Sequence, residues 1–439
     1  MITNKQKELA QWAMEYALKN GCQAARLNVY NSSNTSFEIR DMKIDNLQQA
    51  SENGLSIQLF VDGRYGAIST NRIVKNELES FIRNGIESTR YLAEDPARTL
   101  PDASLYYKGG GADLQLYDKK FPTIQPDDKV ALAMSVCDEI MGKDPHVISS
   151  NASYSDGENF NYRIASNGFE GESSHSHFSL VAEATIQGEG DARPSAYWYE
   201  SSLYLGELIK KGIGKKALER ALGRLGQKKI ASAKMPMVVD FMCAEQLLSP
   251  VLSAIEGSSI QQKNSFLLDK LQQKVFNDKM TLIDDPHQIK ASGARYFDGE
   301  GIATKKRNIF EAGQLNIYFI DTYNSNKLKM PVTISSPSIL LLPGGAKNAE
   351  GLAQSLDKGI LVTGFNGGNC NATTGDFSYG IEGFLIEKGK ITQPVYEMNI
   401  TGNMLTLWSN LLEAGNDARP TSSRRIPSLL FDNVDFSGS

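Results

Sequence analysis

Residues 364–383 read GFNGGNCNATTGDFSYGIEG, with glycine at 364, 367, 368, 375, 380 and 383 and mostly small or polar residues between them. Glycine loses more backbone entropy on ordering than any other residue, and Asn, Asp and Ser bond to their own backbone in turns. A helix is therefore excluded. The pattern predicts tight turns between short strands, with backbone amides open to a peptide or another chain. No Gly-Lys-Ser/Thr closes the run, so it is not a phosphate-binding loop. Working outward, GILVTGFNGG (359–368) enters the run as a strand, and SSPSILLLPGGA (335–346) is an apolar strand ending at Gly344-Gly345. TLIDDPH (281–287) reads as a strand ending in a turn, and 294–328 as a meander turning near Gly299 and Gly313. Asp298, Glu300 and Glu311 fall in loops there, and turn chemistry accounts for them. Residues 231–439 thus read as a β-rich domain, barrel-like or a curled sheet.

The N-terminal part patterns differently. Leu9, Trp12, Ala13, Tyr16 and Ala17 recur at helical spacing before Gly21. The next thirty or so residues alternate as two strands, and LSIQLFVDGRYGAIST (55–70) is a hairpin turning at Asp62-Gly63. Helical spacing returns over 72–94, giving an α+β unit over 1–95 with helices on one face of an antiparallel sheet. A Pro- and Gly-rich connection follows to Asp128. A helix is expected over 127–142 and strands over 147–187, turning at Asp156-Gly157 and Asn167-Gly168. Residues 205–234 read as an amphipathic helix with a basic face of Lys210, Lys211, Lys215, Lys216, Arg220, Arg224, Lys228, Lys229 and Lys234. These segments form a middle α+β unit over 96–230. The fold class is α+β.

At 439 residues the chain exceeds one ordinary core. A net charge of -5 gives no basic surface for a nucleic acid, so direct nucleic-acid binding is not expected. No stretch approaches the roughly 18 apolar residues of a membrane span. The four cysteines, at 22, 137, 243 and 370, form no CxxC pair. With no signal-like apolar core near the N-terminus, a cytoplasmic protein is expected. His175 and His177 alternate on one strand face, but a metal site needs further ligands, and two solvated imidazoles account for them. His146 and His287, each beside a proline, offer less. Cys370 would need a histidine base to act as a nucleophile, and the sequence supplies none.

The glycine-rich run, with GFLIEKGK (383–390), PVYEMNITGNMLTLW (394–408) and GND (415–417), resembles the C-terminal signature of the TldD/PmbA family, on its PmbA (TldE) branch. The family was first described as modulators of DNA gyrase and later as a two-subunit metallopeptidase. The resemblance spans nearly the whole chain. In the catalytic branch, the helix corresponding to MCAEQLLSPVLSAIEG (242–257) carries His-Glu-x-x-x-His, with two imidazoles for zinc and a glutamate that activates metal-bound water. Here Ser249 and Ala254 stand at the histidine positions and Pro250 at the glutamate position. The branch also draws a cysteine ligand from near its C-terminus, where this chain has none after Cys370.

The resemblance therefore implies a chain with no catalytic residue, metal or cofactor of its own, inactive alone. Zinc is expected in a TldD-like metallopeptidase partner, and a peptide or unfolded protein is the substrate. The partners would form a dimer enclosing a cavity, and this chain alone would pair with itself through the same surface. Residues expected to face substrate are Asn366, Gly367, Gly368, Asn369, Asn371, Thr373, Thr374, Gly375 and Asp376. Two alternatives stand beside this one. The first is a non-proteolytic regulatory binding protein acting on DNA gyrase or a toxin–antitoxin system. The second is an independent hydrolase using Cys370 or the acidic residues, for which no catalytic set is identified.

Overall fold

The computed structural model describes residues 1–438. Helix α1 (Asn4–Lys19) starts at a reciprocal cap: the Thr3 hydroxyl accepts from the Gln6 amide, and the Gln6 side chain accepts from the Thr3 amide at 2.9 Å. Strands β1 (Ala24–Arg40), β2 (Lys43–Val61) and β3 (Arg64–Thr70) then meander into α2 (Lys75–Arg90). The β2–β3 turn is made by Asp62 and Gly63, both with positive φ (51° and 72°), as the Asp-Gly pair predicts. After the long connection come α3 (Pro126–Asp138), β4 (Val147–Ala165), β5 (Phe169–Ile186) and β6 (Ser195–Ser202), then α4 (Ile213–Leu222).

These strands form one antiparallel sheet in the order β3-β2-β1-β4-β5-β6. The pairing of β1 with β4 runs from Arg26↔Ala165 to Arg40↔Asn151, so strands from 1–95 and 96–230 share a single sheet. Alternation sets Leu27, Val29, Phe37, Ile39, Tyr154, Tyr162, Phe178 and Leu180 on one face, buried under the helices. Each such side chain contributes about 1.5–3 kcal/mol by leaving water. The opposite face carries Asn28, Ser32, Asn34, Ser36, Ser153, Asn161, His175 and His177.

One expected turn is absent. β4 runs straight through Asp156-Gly157, and only Asn167-Gly168 turns. Asp156 is buried and held by Lys129 at 2.6 Å and by the Tyr154 hydroxyl at 2.7 Å. Gly157 is needed for space, because a side chain there would overlap Asn34 and His177.

The C-terminal part closes on itself. β7 (Ala233–Val239) leads into α5 (Phe241–Ala254). β8 (Lys358–Cys370), β9 (Asp376–Glu387), β10 (Lys390–Asn403) and β11 (Leu429–Ser437) complete the set. Their order is β10-β9-β8-β7-β11, and β11 also pairs with β10 through Asn399↔Ser437 to Thr401↔Asp435, closing a five-stranded barrel. Its core holds Met237, Val239, Val362, Ile381, Ile400, Trp408 and Phe431, together with the apolar face of α5.

The glycine-rich run is thus a long hairpin rather than short strands, and only 371–375 turns. The meander expected over 294–328 contracts to Arg307–Glu311 and Gln314–Leu315. Asp298 is fully buried and collects the amides of Glu300 and Ile302 at 2.9 and 3.0 Å, which holds a compact loop in place of a strand.

The expected basic helix over 205–234 is also shorter, and part of its charge points inward. Arg220 pairs with Asp240 at 3.4 Å and Arg224 with Glu382, joining α4 to the barrel. Beside them Arg419, 9% exposed, pairs with Glu200 at 3.0 Å and stacks 4.0 Å over the Tyr199 ring. Among the described residues, no helix is long and apolar enough to cross a membrane.

Candidate functional site

A cavity of about 450 Å³ lies between the exposed face of α5 and the end of β8. Helix α5 contributes Gln246, Leu247, Ser249, Pro250 and Ser253, and the hairpin contributes Phe365, Gly367, Gly368, Cys370, Ala372 and Tyr379. Residues 246–253 of α5 and the glycine-rich run, more than a hundred residues apart, face each other across one cleft.

The start of α5 is fixed by two hydrogen bonds to its first amides. Asp240 caps it by accepting from the Met242 amide at 2.8 Å. The Phe241 amide donates to the Ser428 hydroxyl at 3.0 Å, and that hydroxyl donates to Asp417 at 2.8 Å. The GND segment therefore anchors the cleft helix through its aspartate. Further along, Pro250 has no N–H for the Gln246 carbonyl four residues back. The Ser249 hydroxyl donates to the Glu245 carbonyl at 3.0 Å and is already committed to the helix backbone. Ser253, one turn on, shares the cleft face, whereas Ala254 is buried in the core. Positions 249 and 254 are five residues, about 140°, apart on the helix, and here Ser249 lines the cleft while Ala254 packs into the core.

On the other wall, β8 carries a bulge. Phe365 pairs with Ile381 and Gly368 with Tyr379, leaving Asn366 and Gly367 together opposite the single residue Gly380. Gly367 and Gly368 both take positive φ, 83° and 102°. A side chain at 368 would overlap the Ser378 carbonyl and come within 2.7 Å of the Tyr379 Cα, whereas one at 367 meets no atom within 4 Å. Phe365 and Tyr379 meet edge to face at 5.8 Å, and Phe377 stacks on Tyr379 at 5.4 Å, which gives the cleft an aromatic wall.

The residues expected to face substrate divide into two groups. Gly367 and Gly368 line the cleft, and Asn366 and Asn369 are exposed on the same strand. Asn371, Thr373, Thr374, Gly375 and Asp376 build the β8–β9 turn. Asn371 Oδ1 accepts from the Thr373 and Thr374 amides at 2.9 and 3.2 Å. The Thr374 hydroxyl donates to Asp376 at 2.7 Å, and Asn403 Nδ2 donates to Asp376 at 2.9 Å. Thr373 donates to Asn264 at 2.6 Å. The Gly375 amide donates to the Asn371 carbonyl at 2.7 Å. These polar groups are engaged in holding the hairpin. Sequence reading missed Gln246, Ser253, Phe365 and Tyr379. The aromatics at 365 and 379 inside a glycine-rich run were the available signal.

Cys370 has no imidazole base beside it among the described residues. Burial, with the Asp376 carboxylate adding, raises its thiol pKa and keeps it protonated near neutral pH. Burial likewise pushes the Tyr379 hydroxyl up to about 12. His175 and His177 lie on the open sheet face opposite Asn159 and Gly157, away from the cleft walls. His146 bonds Asp144 at 2.8 Å, and His287 bonds the Thr304 hydroxyl at 3.0 Å. Among the described residues, no three His, Cys, Asp or Glu side chains converge to hold a metal. The donors in the cleft are hydroxyls, one amide and one protonated thiol, a set that does not fit zinc.

A six-stranded antiparallel sheet under helices, followed by a closed barrel with a helix-lined cleft, defines an α+β protein. Profiles of the PmbA/TldA metallopeptidase family match it in three consecutive pieces: domain 1 over residues 25–89, the central domain over 119–225 and the C-terminal domain over 232–438. The chain belongs to the PmbA/TldD family. It is similar to a crystal structure from Bacteroides thetaiotaomicron described as a candidate modulator of DNA gyrase, with 64% identity, full coverage of both chains and a TM-score of 0.98. It is 28% identical over 447 residues to the Metalloprotease PmbA homolog of Haemophilus influenzae, covering 100% of this chain and 98% of that one. TldE from Thermococcus kodakarensis shares the fold, with a TM-score of 0.86 at 18% identity over 98% of this chain and 100% of that one.

Proposed function

We propose that this chain is the non-metal-binding, TldE-type subunit of a TldD/TldE-like zinc metallopeptidase, shaping the cavity and holding peptide while a TldD-like partner supplies zinc and the catalytic glutamate. The observation that carries the reading is the cleft face of α5, which presents Gln246, Ser249, Pro250 and Ser253 and no metal-binding donor. The holding role rests on β8. It pairs with β7 only over Ile360–Val362, so beyond Val362 the strand has β9 on one side and an open edge on the other. An extended peptide added to an open edge is held by its backbone whatever its sequence. Each such hydrogen bond contributes about 0.5–1.5 kcal/mol net. Leu247, Phe365 and Tyr379 would receive an apolar side chain. The reading places the protein in the cytoplasm, where the buried thiols of Cys22, Cys137 and Cys243 stay reduced.

The test is metal content and casein cleavage of the chain alone and after co-expression with a family member carrying His-Glu-x-x-x-His. The expected outcome is neither activity nor zinc alone and both in the complex. Stoichiometric zinc with cleavage by this chain alone would overturn the proposal. The similarity to a candidate gyrase modulator favours a second reading, a non-proteolytic regulatory binding protein. Recovery of gyrase, with no His-Glu-x-x-x-His protein, in a pull-down from the source cell would support that reading instead.

A further inference from the structure

An asparagine side chain can react with the backbone amide that follows it, and glycine, with no β-carbon, hinders that attack least. The sequence holds five Asn-Gly pairs, beginning at Asn20, Asn53, Asn84, Asn167 and Asn366. The fold restrains four of them. At the end of α1 the Asn20 side chain donates to the Tyr16 carbonyl at 2.7 Å. Asn53 and Gly54 lie in ladder opposite Asn31 and Tyr30, and Asn84 and Gly85 sit inside α2. At the β4–β5 turn Asn167 is held at both ends of its amide: Oδ1 accepts from the Tyr106 hydroxyl at 2.7 Å, and Nδ2 donates to the Pro101 carbonyl at 2.8 Å. The amide of Gly168 donates to the Ala165 carbonyl at 3.0 Å.

Asn366 and Gly367 escape all of these restraints. They are the β8 bulge, skipped by the ladder between Phe365↔Ile381 and Gly368↔Tyr379, and both are exposed. The Asn366 side chain is free of the kind of bond that holds Asn20 and Asn167. Across from it stands Gly380, where a Cβ would come within 2.8 Å of Asn366 Oδ1, so glycine leaves the asparagine amide unobstructed.

We propose that Asn366 is a self-modification site, at which the chain converts an amide on its own cleft wall into a carboxylate. The Gly367 nitrogen attacks Asn366 Cγ, and the new C–N bond closes a five-membered succinimide. The Cγ–Nδ2 bond breaks, and the proton lost from the Gly367 nitrogen ends on the departing ammonia. Water then adds to either ring carbonyl and opens the ring, to aspartate or to β-linked isoaspartate. One water is consumed and one ammonia released, with no change of oxidation state. The product sets a negative charge beside a cleft none of whose lining side chains is charged, and the isoaspartate form adds a methylene to the β8 main chain. This chemistry proceeds whatever the cleft binds, so it stands apart from the proposed peptidase role.

Peptide mapping by mass spectrometry tests it, on the full chain incubated folded and urea-unfolded at the same mildly alkaline pH. In the folded protein, conversion at Asn366 is expected to outrun each of the other four pairs by about tenfold or more, with aspartate and isoaspartate both formed. In urea, where all five pairs are released, the rates draw to within about threefold of one another. Gly367→Ala, whose methyl meets no atom within 4 Å, puts a β-carbon beside the attacking nitrogen and slows conversion at 366 about tenfold. The proposal is overturned if folded Asn366 stays intact while urea converts it, or if another pair reacts faster in the folded protein. A lead that persists unchanged in urea, or a Gly367→Ala variant that reacts at the wild-type rate, overturns it too.

Discussion

Gly367 and Gly368 are neighbours with the same unusual backbone, and the structure predicts unequal consequences when each becomes alanine. Both carry positive φ, so either substitution pays strain of about 1–2 kcal/mol. At 367 the added methyl meets nothing within 4 Å and the loss stops there. At 368 it runs into the Ser378 carbonyl and the Tyr379 Cα, which are β9 backbone and cannot rotate away. Relief requires parting the strands beyond the bulge, where Gly368, Asn369 and Cys370 pair with Tyr379, Ser378 and Phe377. Forfeiting two or three ladder hydrogen bonds at about 1 kcal/mol each brings the Gly368→Ala cost to roughly 3–5 kcal/mol. Urea unfolding at equal slope measures the difference, with a midpoint shift two to three times larger for Gly368→Ala than for Gly367→Ala as the rough expectation. Gly367→Ala places its methyl in the cleft and, in the complex with a catalytic partner, raises the peptide KM several-fold with kcat nearly unchanged. Equal midpoint shifts, or a larger shift at 367, would refute the bulge geometry. An unchanged KM would refute the peptide-facing role of β8.

Arg419→Ala strips the partner from buried Glu200 and removes the stack on Tyr199, so it costs about 3–5 kcal/mol in stability by thermal or urea unfolding; a loss under about 1 kcal/mol would mean the pair is solvated. Burial raises the Cys370 thiol pKa, so the reactive thiolate is scarcer than in free cysteine at pH 8 and grows only as pH climbs past the ordinary thiol value. Iodoacetamide labelling at 370 should therefore be slower than for free cysteine at pH 8, and faster labelling would contradict the assignment. Ser249→His with Pro250→Glu and Ala254→His rebuilds the motif but puts an imidazole at a position 2% exposed, away from the cleft. The triple variant should bind no stoichiometric zinc by elemental analysis and lose stability, and tight zinc binding would show that the helix can turn.

Much of the architecture was legible because local periodicity matches the burial it serves. The capped α1, the Asp62-Gly63 hairpin, the strand into α5 and the β-rich C-terminal half follow from alternation, helical spacing and turn chemistry. The misreadings share one cause: a local signal was overridden by a distant contact. Asp156-Gly157 has turn chemistry, yet Lys129 and Tyr154 hold the aspartate while His177 occupies the space over the glycine. Arg220 and Arg224 continue a basic helical face, yet their partners, Asp240 and Glu382, lie in the barrel. Five of the nine expected substrate-facing residues are spent on a turn because Asn264 and Asn403, outside the run, supply its bonding partners.

By itself the sequence determined the α+β class, the family and the absence of His, Cys, Asp or Glu at positions 249, 250 and 254, since side-chain chemistry at a given position is independent of folding. Only the tertiary structure decided that the first two units share one sheet, that β11 returns to β10 and closes the barrel, and that α5 faces the β8 bulge across a cleft. Each of these is a pairing between segments far apart along the chain. Backbone hydrogen bonds carry no residue identity, and buried apolar faces accept many partners of the right size, so such pairings leave little trace in local sequence and are fixed only when the whole core packs.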